Sequence, residues 1–144
     1  MNSQFPQKAK EIMNMRFGCD SLIALATCTD NVPSVRTVDG FYENGAFYII
    51  TYALSDKMKQ IEKNPAVAVS GEWFAAHGTG ENIGWIRDEA NAEIASKLRA
   101  AFAEWYDNGH IDESDPNTCI LRVKLTDGTL SADGEKFHID FTCA

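Results

Sequence analysis

Arg36, Thr51, Ser55 and Lys57 place a guanidinium, two hydroxyls and an ammonium in one short stretch of the chain. Together they suit a phosphate. Arginine offers a planar fork of donors, and the hydroxyls add neutral ones. A helix predicted from Ser55 onward would add free amide N–H groups carrying partial positive charge. Lys57 would fall in the first turn of that helix, where a cation opposes the helix dipole, and a nearby anion would account for its position. The same residues also admit plainer roles: Ser55 as a helix cap, Lys57 as a solvated side chain, and Arg36 as a cross-strand partner of Asp39 or Glu43.

Other side chains carry less pointed chemistry. His77, with Glu81, lies in a glycine-punctuated stretch, residues 75–84 (AAHGTGENIG), which reads as a loop that either meets substrate or simply connects strands. It lacks the strand-to-helix setting of a dinucleotide site. His77, His110 and His138 have no metal-ligand spacing, so no metal site is assigned. Trp73, Trp85 and Trp105 are able to stack on a planar ring or to fill core and interface, with Trp73 the favoured candidate for a ring. Cys19, Cys28, Cys119 and Cys143 are widely spaced without a Cys-x-x-Cys pair, which reads as reduced thiols in a cytoplasmic protein.

The elements that must position these residues are legible as periods and turn signals. Residues 5–15 read as an amphipathic helix with Ile12 and Met15 on one side, and 22–27 (LIALAT) as a strand closed by the turn at Thr29-Asp30-Asn31. Residues 34–51 form two antiparallel strands around Asn44-Gly45, whose residues suit the positive φ of a tight hairpin turn. A short helix follows Ser55 and stops at Asn64-Pro65. Residues 66–74 make a further strand, and Asp88 caps a second amphipathic helix running to about Tyr106. From Cys119 the pattern returns to strands, CILRVKL, TLSA and KFHIDF, with turns at Asp127-Gly128 and Asp133-Gly134. Six or seven strands at hairpin spacing with two or three helices indicate an antiparallel barrel or α+β domain.

At 144 residues, with 44% hydrophobic and 24% charged residues, the chain reads as a single domain, 1–144, without long disorder. A net charge of −8 and the lack of a basic stripe argue against nucleic acid as a partner. Residues 1–16 lack the apolar core of a signal peptide, and no run reaches the length of a membrane span.

The series VRTVDG, FYIITYALSDKMKQI and NPAVAVS, read in that order, resembles the FMN-binding half of the pyridoxamine 5′-phosphate oxidase-like split-barrel family. The resemblance covers roughly residues 21–73. It implies a mainly β fold with flanking helices, an antiparallel split β-barrel, and a homodimer with two FMN molecules in grooves between subunits. Carried over, Arg36 and Lys57 would hold the FMN phosphate with Ser55 and Thr51, while the backbone at Thr37 and Val38 would face the isoalloxazine and ribityl chain. Asp56 stands where the oxidase proper often has a second basic residue. The Arg and His run with which that oxidase grips pyridoxal phosphate is missing from KFHIDFTCA. The resemblance therefore implies an FMN-dependent oxidoreductase acting on a small molecule, with reduced nicotinamide as a possible donor. The competing use of the same groove is a non-catalytic flavin- or haem-binding module.

Overall fold

Asn44 and Gly45, with φ of 48° and 84°, make the tight turn that their residue types favour. In the computed structural model, which describes residues 5–143, the elements run α1 (Gln7–Phe17), β1 (Ser21–Thr29), β2 (Val32–Glu43), β3 (Ala46–Tyr52), α2 (Asp56–Lys63), β4 (Ala66–Gly71), β5 (Phe74–Trp85), α3 (Ala92–Ala101), β6 (Thr118–Ala132) and β7 (Glu135–Asp140). The first four residues of the stretch read as lacking a signal peptide lie outside this range. Every strand pairing is antiparallel, in the order β3-β2-β1-β4-β5-β6-β7. A further β3–β6 ladder closes the first six strands into a barrel, and β7 lies along the far half of β6. No described helix is long and apolar enough to cross a membrane.

The barrel is split, and the register shows where. β2 pairs with β3 only at Phe41–Tyr48, Tyr42–Phe47 and Glu43–Ala46. Past that point β2 keeps only β1 as a neighbour, while β3 continues along β6 from Ile49 to Tyr52. α2, which follows β3, packs Met58 and Ile61 into the core against β1 and β5.

Alternation along the strands fills the interior. Ile23 and Leu25 of β1, Phe47 and Ile49 of β3, and Leu121, Val123 and Leu125 of β6 are all at most 2% exposed. α1 closes the other side with Ala9, Ile12, Met13 and Phe17, the Phe17 ring standing edge-on to Phe47 at 5.6 Å. Each such fully buried large side chain contributes roughly 1.5–3 kcal/mol. A second cluster, built from Ile86, Leu98, Phe102 and Ile120, seats α3 on the outer face of the barrel. Glu113 ties the following loop down: it accepts from Arg99 Nε and Nη2 at 2.8 and 3.0 Å and from the Tyr106 hydroxyl, and its backbone oxygen takes the Trp85 indole N–H at 2.8 Å.

Several sequence expectations change. Residues 75–84 are not a loop but the middle of β5, because glycine allows close approach there. A Cβ on Gly78 would stand 2.8 Å from the Lys124 carbonyl oxygen, and one on Gly80 would stand 3.0 Å from Ile61 Cγ2. Asp127-Gly128 is not a turn; β6 runs through it, paired with β5 and β7 at Gly128. The strand expected over 66–74 ends at Gly71, and Glu72-Trp73 forms the turn, with Trp73 at φ 53°. α1 extends to Phe17, so Met13 rather than Met15 faces the core and Met15 is 79% exposed. Asp88 caps as expected, accepting from Ala90 N–H at 3.0 Å, but regular helix ends at Ala101.

Candidate functional site

The site lies where the barrel splits. Arg36 stands opposite Leu25 on the inward face of β2, and its guanidinium reaches along β1 toward α2. Nη1 donates to Thr27 Oγ1 at 2.9 Å and to the Leu25 carbonyl at 3.2 Å; Nη2 donates to Gln60 Oε1 at 3.2 Å. Thr27 Oγ1 in turn donates to Gln60 Oε1 at 2.5 Å. Neither Asp39 nor Glu43 pairs with Arg36; Glu43 takes Lys97 at 2.6 Å instead.

Lys57 enters from the first turn of α2. Burial lowers its pKa from the ordinary lysine value, the Arg36 charge lowers it further, and the Cys119 thiol acts in the opposite sense. Burial also lowers the pKa of Arg36 and pushes that of the Cys119 thiol up to about 11, an effect that nearby Lys57 opposes. Cys119 is the cross-strand partner of Thr51, which brings Thr51 to the same end of the barrel. Among the described residues, neither Arg36 nor Lys57 forms an ion pair with a carboxylate. Two neighbouring cations without a counter-charge in a chain of net charge −8 make a local positive centre against the overall field.

Ser55 supplies an independent sign of a missing partner. It occupies the N-cap position of α2, yet its side chain makes no capping hydrogen bond. Its Oγ is buried and has no partner. A buried hydroxyl left unpaired costs roughly 1–3 kcal/mol, so a native site that keeps one points to a partner supplied from outside. The amides of Asp56, Lys57 and Met58 precede the first helical bond, Lys59 N–H to Ser55 O at 3.0 Å, and the dipole favours an anion at that end. Donors, charge and orphaned hydroxyl together fit a phosphate monoester.

The structure thus brings Arg36, Thr51, Ser55 and Lys57 to one end of the barrel. Asp56 sits beside them, exposed at the start of α2. Thr37 and Val38 send their side chains to opposite faces of β2: Thr37 outward and exposed, Val38 inward against the core. What the two share is backbone in the part of β2 that has left β3. Trp73 is not part of this group. It is 72% exposed in the β4–β5 turn, four residues beyond Val69, which is the level of Leu25 and Arg36. Sequence reasoning missed Thr27 and Gln60. Thr27 continues the inward alternation of Ile23 and Leu25 with a polar residue, and Gln60 lies one helical turn after Lys57; those two patterns were the available signals.

Two features flank the site. Asp39, on the same face of β2 as Thr37, meets Asp20; burial first, then the neighbouring Asp20 carboxyl, pushes its own carboxyl up to about 6. Asp20 Oδ2 accepts the Trp105 indole N–H at 2.7 Å, while its buried Oδ1 has no partner. On the outer wall of the barrel lies a groove of about 640 Å³, lined by small residues such as Ala26, Ala68 and Ala75 together with Val35, His77 and His138. His77 contacts Asp127 there at 3.2 Å. Among the described residues no group of three or more His, Cys, Asp or Glu is arranged to hold a metal ion.

The family model described as pyridoxamine 5′-phosphate oxidase matches residues 7–132. No curated protein matches the sequence. Among solved structures, the General Stress Protein 26 from Bacillus anthracis str. Sterne is similar with a TM-score of 0.65 at 17% identity, over 90% of this chain and 98% of that one. An FAD-binding protein from Mesorhizobium loti gives 0.62 at 14% identity, over 84% and 89% of the two chains. A heme binding protein from Mycobacterium smegmatis gives 0.70 at 14% identity, over 96% of this chain and 60% of that one. At these identities the likeness is one of fold.

Proposed function

The chain belongs to the pyridoxamine 5′-phosphate oxidase family, and from that premise we propose that it is an FMN-dependent oxidoreductase working as a homodimer. The observation that carries the reading is the uncompensated Arg36–Lys57 pair beside the orphaned Ser55 hydroxyl. Arg36 and Lys57 hold the FMN phosphate, Ser55 and Thr51 donate to it, and the amides at the start of α2 complete the cradle. The backbone of β2 at Thr37 and Val38, which has left β3 but stays paired with β1, faces the isoalloxazine and ribityl chain. FMN, when bound, would supply redox chemistry between a reduced donor such as a reduced nicotinamide and a small acceptor. The protein binds and orients the ring. The small-residue wall at Ala24, Ala26 and Ala68 is the surface a second copy would cover, since a contiguous apolar patch of this kind is typical of an interface.

A second reading, a non-catalytic flavin- or haem-binding module, has one observation in its favour: His77 and His138 line the outer groove, and histidine is a residue type that would hold a haem iron. Both readings meet one experiment. Protein purified without added cofactor is titrated with FMN and with haem while absorbance is followed, and reduced nicotinamide is then supplied. About one FMN per chain with steady donor oxidation supports the oxidoreductase. FMN bound without turnover, or haem bound with a histidine-ligated spectrum, supports the carrier; no FMN binding at micromolar concentration rejects the flavin assignment.

A further inference from the structure

Gln60 is the meeting point of the site. Its amide oxygen accepts from Thr27 Oγ1 at 2.5 Å and from Arg36 Nη2 at 3.2 Å. A guanidinium has no acceptor, so the oxygen of the amide must face it. The other acceptors that hold Arg36, Thr27 Oγ1 and the Leu25 carbonyl, are neutral as well. A partly buried arginine is ordinarily held by a carboxylate, which would cancel most of the field it projects. Here the guanidinium is fixed by three uncharged oxygens, and its charge stays available beside Lys57.

We propose that Gln60 is the positioning residue of the phosphate site: it fixes Arg36 in place and, being an amide and not an acid, leaves the Arg36–Lys57 pair uncompensated for a phosphate monoester. The proposal rests on the FMN reading. Anchoring the cation before the ligand arrives removes part of the ordering cost of binding. A carboxylate at the same position would satisfy the same two donors, so the free protein would be the more stable for it. The amide therefore has a function that stability alone does not account for.

Gln60→Glu tests this with almost no change of shape. The ligand-free variant melts higher than wild type, because the new carboxylate pairs with Arg36 and offsets Lys57. Its FMN dissociation constant rises by roughly 10–100-fold, the scale of one charge-assisted interaction. Riboflavin, which has no phosphate, keeps its affinity within about threefold, since nothing charged is lost to it. Gln60→Met, of similar length and without an acceptor, melts lower than wild type and loses FMN less severely. Q60E binding FMN as wild type does, or losing riboflavin in parallel with FMN, overturns the proposal. If wild type prefers FMN no more than riboflavin, the phosphate reading itself falls; the ligand-free melting still judges Gln60, and Q60E no more stable than Q60M overturns its proposed role.

Discussion

Asp39→Asn should stabilise the protein at neutral pH and leave it unchanged in acid. Asp39 meets Asp20, whose Oδ2 is occupied by the Trp105 indole and whose buried Oδ1 lacks a donor. Burial and then the contact with Asp20 raise the Asp39 carboxyl from 3.8 to about 6. A folded-state pKa above the unfolded one means that the folded protein binds the extra proton between those values. Stability is therefore greatest below the unfolded value and declines as pH rises through 6. Two units at about 1.36 kcal/mol each set an upper limit near 3 kcal/mol. Asp39 is only half-buried, and solvent screening reduces this to about 1 kcal/mol. An asparagine amide would offer the Asp20 carboxylate a donor at every pH. Urea unfolding should show a gain of about 1 kcal/mol at pH 7.5, a midpoint shift of roughly 0.5 M, shrinking to nothing by about pH 4. A variant less stable than wild type at pH 7.5, or a difference that does not change with pH, refutes the raised Asp39 carboxyl beside Asp20.

Other perturbations test other parts of the structure. Lys57→Met should raise the stability of the ligand-free protein by up to about 1 kcal/mol, by removing a half-buried like charge beside Arg36, and should weaken FMN by roughly 10–100-fold; paired melting and titration measure both. Because the folded pKa of Lys57 is lowered, ligand-free wild type should gain stability as pH climbs toward the usual lysine range, and K57M should not. Glu113 is held at about 2 by Arg99, with Tyr106 and Arg87 assisting, so its contribution is present above 4.5 and lost as pH falls toward 2. Glu113→Gln should cost about 2 kcal/mol at pH 7 and flatten the acid limb, read by tryptophan fluorescence. Gly128→Ala puts a Cβ 2.7 Å from both the Ala75 carbonyl oxygen and Ala76 Cβ, and should cost upward of about 2 kcal/mol in urea unfolding.

The strands β1 to β4, the Asn44-Gly45 hairpin and α2 were legible because each rests on local signals: alternation, a turn that needs positive φ, and an N-cap serine with Asn-Pro as a stop. The reading failed where a tertiary constraint overrides local chemistry. Glycine at 78, 80 and 128 reads as punctuation, yet it marks close contact between paired strands and α2, a fact visible only once Lys124, Ile61 and Ala75 are in place. The site divides in the same way. Arg36 and Lys57 stood out because a charged residue in a strand or a helix's first turn asks for a partner. Gln60 and Thr27 did not, because their part is to hold Arg36, and that requires β1 and α2 to be brought together across the split.

The phosphate site is tested most directly by the ratio of the riboflavin to the FMN dissociation constant, measured on ligand-free protein at low and high salt. A dianionic phosphate held by Arg36, Lys57 and the Ser55 hydroxyl predicts a preference for FMN of about 100-fold or more, reduced by salt and collapsing toward one in Arg36→Met/Lys57→Met. Equal affinity for the two flavins in wild type, or a preference that survives loss of both cations, would contradict it.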